Sequence, residues 1–420
     1  MLTVPTIALT ALFVVVVFLL PRQWLLVPFV AATCFLPSDQ RLIIFDLDFT
    51  CLRILIVAGV VRLTAKREAI VINWNTFDKL IFVWAIVSAI IYCIQWADLR
   101  AAIYKSGRLF DIFGLYWLFR QTIRSWDDVA LAVKIFAICA LLMVPLVLME
   151  KATGTNPFRV LGRVGTAYRE GKYRCQAAFP HSIIFGAFWA TLVPLFLAAK
   201  IAGKNSGLYL TAIISSVVMV WASASSTPYG ALGAGLVLFA LFPVRHYGRI
   251  IAYSAIAGLA ALHMVMKAPV WHLLARIDLV GGSTGWHRFN LIDQAIRHFG
   301  EWALLGTRST AHWGYHLFDV TNEYCFQAVE GGLVSLILFA AILVAAVQAL
   351  GWYSRAGLNR EERWLAWGSC ISLLVHCVAF ISVAYFGQIH MLEYLVLSVA
   401  GLACGVRHPD KMLATDRLYR

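Results

Sequence analysis

Charge is scarce in this chain. Only 14% of its 420 residues are Asp, Glu, Lys or Arg, against about 25% in an ordinary soluble domain, so there is too little polar surface to cover a water-exposed body of this size. Acidic residues are the scarcer kind, 22 against 35 basic ones, and the net charge of +13 is spread over short segments rather than gathered in one patch. In a chain that is 61% hydrophobic, basic residues placed this way mark cytoplasmic loops and anionic lipid rather than nucleic acid. Paired cysteine spacing is lacking too. Of nine cysteines, Cys34, Cys51, Cys93, Cys139, Cys370, Cys377 and Cys404 fall in or beside apolar runs, which leaves them as small buried hydrophobes and excludes a disulfide framework or a cysteine zinc cluster. No internal repeat stands out, which withholds support from a transporter built of matched halves. A charged n-region is missing before the first apolar run, Ile7 to Leu20, which passes through Pro21-Arg22 into another run; it reads as a retained helix rather than a cleaved signal.

What is present is apolar length. Runs at 6–20, 24–36, 42–61, 80–96, 109–119, 129–149, 182–199, 207–223, 229–243, 249–266, 326–350, 364–384 and 389–405 approach the roughly 20 residues that carry a helix across a bilayer. They predict an all-α integral membrane protein, one polytopic domain over 1–420 with twelve or thirteen crossings, the short 109–119 run deciding the count. Lys and Arg in the short loops set the orientation. Arg62, Lys66, Arg67 and Lys79, then Arg120 and Arg124, Lys200 and Lys204, Arg245 and Arg249, and Arg355, Arg360 and Arg363 stand at alternating positions. With the tail Arg407, Lys411, Arg417 and Arg420 they define the cytoplasmic side and put the C-terminus there. Arg100, Lys105 and Arg108 fall on the outer side, against the trend.

Two long loops then land outside, 150–181 and 267–325, and both are basic. The first carries Lys151, Arg159, Arg163, Arg169, Lys172 and Arg174. The second carries Lys267, Arg276, Arg288, Arg297 and Arg308, with His272, His287, His298, His312 and His316. Long loops tolerate positive charge, but cations outside also suit an anionic ligand, and guanidinium binds phosphate through two parallel hydrogen bonds. Within the second loop Ser283-Thr284 precedes Phe289, Ile292, Ile296 and Phe299, an apolar stripe closed by Gly300. This predicts an amphipathic helix on the membrane surface with Arg288 in its first turn, where the helix N-terminus adds anion preference.

Three further stretches carry chemistry. Ile43 to Thr50 has the apolar-then-DxDxT pattern of haloacid-dehalogenase-type phosphatases, but it abuts an apolar run with no α/β domain downstream; Asp46 and Asp48 read better as residues at the mouth of the third helix, within reach of Arg53. Ser223 to Gly230 places small hydroxyl residues at a helix junction, where such residues commonly cap. The segment Asp319 to Phe339 brings Asn322, Glu323, Gln327 and Glu330 into a span, and carboxylates entering a bilayer are costly unless functional or paired.

From 170 to 350 the chain resembles the O-antigen ligase and polymerase superfamily of bacterial membrane glycosyltransferases. The resemblance rests on Arg174 to Pro180 leading into a helix, the 223–230 segment, Arg288 to Ile296 followed by Leu304-Leu305-Gly306, and Asn322 to Gly332, which is similar to the family's His-Asn-x-x-Leu-x-x-x-x-Glu-x-Gly pattern. It implies a GT-C-like bundle in the bacterial inner membrane, active on the periplasmic face. The implied reaction moves a glycan from undecaprenyl pyrophosphate to a saccharide or lipid-linked acceptor, without nucleotide sugar, cofactor or metal. Membrane lipids and other polysaccharide-assembly proteins are the implied partners. By the same resemblance Arg174 and Arg288 bind pyrophosphate, while Asn322 and Glu330 belong to the motif around the base. Thr321 stands where the family has His, and Thr is no base near neutral pH; His312, His316 and Glu323 are the candidates to take that proton. The alternatives are a polysaccharide or lipid transporter or flippase, which needs ionisable residues inside several helices, and an inactive scaffold of an envelope-polysaccharide complex.

Overall fold

A computed structural model describes residues 2–44, 47–163, 165–203, 206–276 and 285–406. The chain opens with α1 (Val4–Leu19) and α2 (Leu26–Phe35), continues through a hairpin, β1 (Arg41–Ile44) and β2 (Leu47–Thr50), and enters α3 (Cys51–Ala65). Then come α4 (Thr76–Trp96), α5 (Leu99–Thr122), α6 (Trp126–Thr153), a second hairpin, β3 (Ala167–Arg169) and β4 (Lys172–Arg174), α7 (Ser182–Ala202), α8 (Ser206–Ala222), α9 (Ser226–Ala240) and α10 (Gly248–Val265). The 267–325 loop holds α11 (Gly285–Arg297) and the single turn α12 (Phe299–Trp302), before α13 (Glu323–Ala356), α14 (Arg360–Phe380) and α15 (Ile389–Val406). Among the described residues, six helical stretches are long and apolar enough to cross a membrane, and four shorter apolar helices accompany them. The protein is a multi-pass, helical membrane protein.

Lipid tails are as apolar as a leucine core, so close packing, rather than escape from water, has to hold such helices together. The centre is α7, flanked by α8, α9 and α14, with Phe185, Phe188, Trp189 and Phe196 fully buried. Small residues set the approach. A β-carbon on Gly368 of α14 would lie 2.6 Å from Ala198 Cβ and 2.9 Å from the Pro194 carbonyl, so only glycine permits this crossing. Polar ties cross the same interface, Ser372 Oγ donating to the Thr191 carbonyl at 2.7 Å. One buried charge is paired inside the bundle: Asp78 accepts from Tyr116 Oη at 2.6 Å and Arg120 Nε at 3.0 Å, which locks α4 to α5.

Three expectations need correction. The apolar run at 42–61 is not one span: its first part is the β1/β2 hairpin, with Arg41 paired to Asp48 at 2.8 Å, and α3 starts at a Thr50 cap. This isolated two-stranded hairpin carries no phosphatase fold, and Asp46 lies outside the described residues. Arg53 does not take Asp48 as its carboxylate partner. Its guanidinium grips Asp111 of α5 through two bonds of 2.7 and 2.6 Å and touches Asp48 only at the backbone carbonyl. Finally, the short 109–119 run is the interior of a 24-residue helix capped by Asp98, so Lys105 and Arg108 stand in α5 and not in a loop. Their charges depress the local hydropathy and hide a helix whose polar face turns inward.

Candidate anion site and the Glu323–Gly332 segment

The β3/β4 hairpin ends at Arg174, and the following residues, Cys175 to Phe179, are buried. Backbone bonds fix this strap: Cys175 N–H donates to the Ala222 carbonyl at 3.1 Å, and Ala177 N–H to the Glu150 carboxylate at 2.9 Å. The strap thereby holds Arg174 against the turn between α8 and α9, where Arg174 Nη2 donates to Ser225 Oγ at 3.2 Å. From the other long loop Arg288, in the first turn of α11, donates through Nη2 to Thr227 Oγ1 at 3.0 Å. Two guanidiniums thus meet one three-residue segment, Ser225-Ser226-Thr227, itself buried.

That segment is the N-terminus of α9. Ser225 occupies the cap position yet its hydroxyl caps no amide, and the first turn of α9 holds no acidic residue, so the positive end of the helix dipole stands beside the two arginines. Gly186 of α7 makes room for the turn, since a β-carbon there would lie 2.6 Å from both Pro228 Cγ and Ser223 Oγ. Among the described residues neither arginine forms an ion pair, and the Nε atom of each is buried without a hydrogen-bond acceptor. Burial pushes the pKa of Arg288 below its ordinary value, and burial followed by the nearby Arg169 does so for Arg174. His181, which caps α7 by accepting from Ile183 N–H, is pushed down to about 4 by burial and by Arg174 and Arg163. This is a cationic cradle with hydroxyl donors and free guanidinium valences, chemistry suited to a phosphate or diphosphate.

No family model and no curated protein matches this chain. Its chemistry therefore has to be read from the sites themselves.

The helix α11 links the cradle to the second candidate region. Its inward face is Arg288, Leu291 and Ala295, while Ile296 and Phe299 of the expected stripe are exposed; the expected start at Ser283-Thr284 lies outside the described residues. Leu291 and Ala295 share a buried cluster with Cys325, Ala328 and Val329 of α13. There α13 is two helices in one: Gly332, at φ 66° and ψ −172°, breaks it. The break is seated on the Leu304-Leu305-Gly306 turn, with Leu333 N–H donating to the Ala303 carbonyl and Thr307 N–H to the Val329 carbonyl, both at 2.9 Å.

The candidate residues of this segment separate by environment. Asn322 caps α13 by accepting from Cys325 N–H and ties it to the Ile381 carbonyl. Thr321 Oγ1 is buried and has no partner among the described residues. Glu323 is buried, one oxygen accepting from Gln327 Nε2 at 2.8 Å and the other from Tyr385 N–H at 2.7 Å. Glu330 pairs with Lys105 of α5 at 2.6 Å and lines a small cavity with Lys105, Arg108, Trp84 and Gln327. His316 is exposed against Tyr315 and Phe318, and His312 sits on the Glu301 carboxylate at 2.8 Å. Both histidine side chains are thus exposed, whereas Thr321 Oγ1 is buried.

Sequence reasoning missed one polar group altogether. Arg108 contacts His390 Nε2 at 3.0 Å, whose Nδ1 lies 3.0 Å from Glu393, and both His390 and Glu393 are buried. The signal was the trio Lys105, Arg108 and Asp111, spaced three apart and so on one face of a helix, but Lys105 and Arg108 read as loop charges once α5 was drawn short.

Proposed function

We propose that the chain is a bacterial inner-membrane glycosyltransferase with a GT-C-like bundle of twelve or thirteen crossings. In this reading it moves a glycan from undecaprenyl pyrophosphate to a saccharide or lipid-linked acceptor at the periplasmic face. The convergence of Arg174 and Arg288, from two different loops, on Ser225 and Thr227, with no acid paired to either among the described residues, carries the proposal. A buried cation without a counter-ion is unfavourable to build, and an anionic ligand supplies the missing partner.

In the reaction the bond from the anomeric carbon to the diphosphate oxygen breaks while the acceptor oxygen bonds to that carbon. The departing diphosphate gathers negative charge, which preorganised guanidiniums and the α9 N-terminus stabilise at an apolar boundary better than water does. The acceptor's proton goes to a carboxylate. Glu330 suits this better than Glu323, because it opens on a cavity, whereas both oxygens of Glu323 are already occupied. Lipid-linked saccharide incubated with the purified chain tests the reading. Longer or transferred glycans are expected from the wild type, with loss of product in Arg174→Ala and Arg288→Ala; wild-type product from both variants would remove the cradle from the mechanism.

A transporter or flippase is the second reading. The buried Lys105–Glu330 and Arg108–His390–Glu393 groups favour it, since ionisable residues inside a bundle mark translocation paths. Movement of the lipid-linked saccharide across a vesicle membrane without any new glycosidic bond would select it.

A further inference from the structure

Outside both regions, three side chains of the second long loop converge in a way the mechanism above does not use. His298 ends the α11 segment and begins α12, and Glu301 follows it one turn later on the same face, so that His298 Nδ1 lies 2.7 Å from Glu301 Oε1. His312, from the short helical turn Ala311–Trp313, brings Nε2 to within 2.8 Å of Glu301 Oε2. The three ligand atoms lie within 4.8 Å of one another. Trp313, itself buried, stacks on the His298 ring at 5.3 Å and donates Nε1–H to Glu301 Oε2 at 3.0 Å, and so orients two of the three.

We infer that His298, Glu301 and His312 form a binding site for a first-row transition cation, with zinc the best fit. Two imidazoles and one carboxylate are a donor set zinc accepts with a fourth position open to water, and ligand atoms about 2.0–2.2 Å from the metal stand about 3.3 Å apart in a tetrahedron, a small rearrangement from the separations here. Hard cations such as magnesium and calcium want oxygen donors and are disfavoured by two imidazoles. The ion would join residues 298 and 312 and close the stretch between them. That stretch includes Leu304, whose carbonyl crowds Gly332, and Arg308, which donates to the Gln95 carbonyl at 2.7 Å. Zinc would therefore stiffen the support beneath the broken helix, whatever reaction the protein performs.

The test is calorimetric titration of Zn²⁺ into the full chain in detergent, tag removed and chelator-treated, with limited proteolysis across 303–311 as a second readout. The wild type should bind one equivalent saturably and become protected. His312→Ala and Glu301→Gln should each weaken binding by at least the roughly 10–100-fold that even outer-shell substitutions cost, while His316→Ala on the same loop should bind as the wild type does. His312 is exposed, and gel filtration with the milder His312→Gln variant separates loss of a ligand from loss of fold. No saturable binding, binding that survives His312→Gln, or equal loss in His316→Ala would each overturn the assignment.

Discussion

Replacing Arg288 by alanine should pull stability and activity apart. Arg288 is 6% exposed and hydrogen-bonds Thr227, but among the described residues no carboxylate pairs with it. Its removal deletes one hydrogen bond and relieves an unpaired buried cation, so the folded state should change by no more than about 1 kcal/mol in either direction. Arg53 is the internal control. It is held by two bonds to Asp111, and Arg53→Ala strands that carboxylate, at a cost of about 3–5 kcal/mol. Donor chemistry should respond the opposite way. Truncating one member of a desolvated charge pair costs about 2–5 kcal/mol, or about 30-fold to several-thousand-fold in transfer. Arg288→Lys should fall between, since the charge remains but the fork that engages two phosphate oxygens is lost. The assays are thermal unfolding in detergent and single-turnover transfer from a lipid diphosphate donor. The reasoning is refuted if Arg288→Ala unfolds as easily as Arg53→Ala while transferring glycan at the wild-type rate.

Other outcomes follow from local geometry. His181 has a folded-state pKa near 4 against an ordinary 6.5, so the unfolded chain takes up the proton first; stability should be full above pH 6.5 and decline as pH falls toward 4, by about 1.4 kcal/mol per unit. His181→Asn, which keeps the cap acceptor, should flatten that slope, and parallel melting curves against pH for the two proteins would sink the assignment. Gly332→Ala forces a β-carbon to 2.5 Å from the Leu304 carbonyl at a backbone angle suited to glycine; a loss of about 3 kcal/mol or more is expected, visible as a lower yield of monodisperse protein, whereas an unshifted melting temperature would contradict the strain. Lys105→Met and Glu330→Leu should each destabilise by about 3–5 kcal/mol, with much of it recovered in the double variant. Strict additivity would show that the pair is not coupled.

The helices were legible because each announces itself by apolar length, and the runs from α6 onward match the observed helices closely. Charged stretches were harder. Lys105 and Arg108 look like loop residues until partners such as Glu330 and His390 are seen opposite them. The break at Gly332 was invisible because the run on either side stays apolar, so hydropathy registers one helix where the backbone makes two. Arg174, Arg288 and the hydroxyl segment could each be singled out by residue type. Their meeting could not, since it depends on a strap and a helix placed far apart in the chain. The histidines were weighed singly, and only the fold sets His298 and His312 on either side of Glu301.

Most direct is a structure of the full chain bound to a lipid diphosphate in a bilayer mimetic. The diphosphate should lie between Arg174, Arg288 and the Ser225–Thr227 turn, its isoprenoid tail leaving sideways between helices. A diphosphate seated elsewhere, with both guanidiniums still holding only their serine and threonine, would contradict the account.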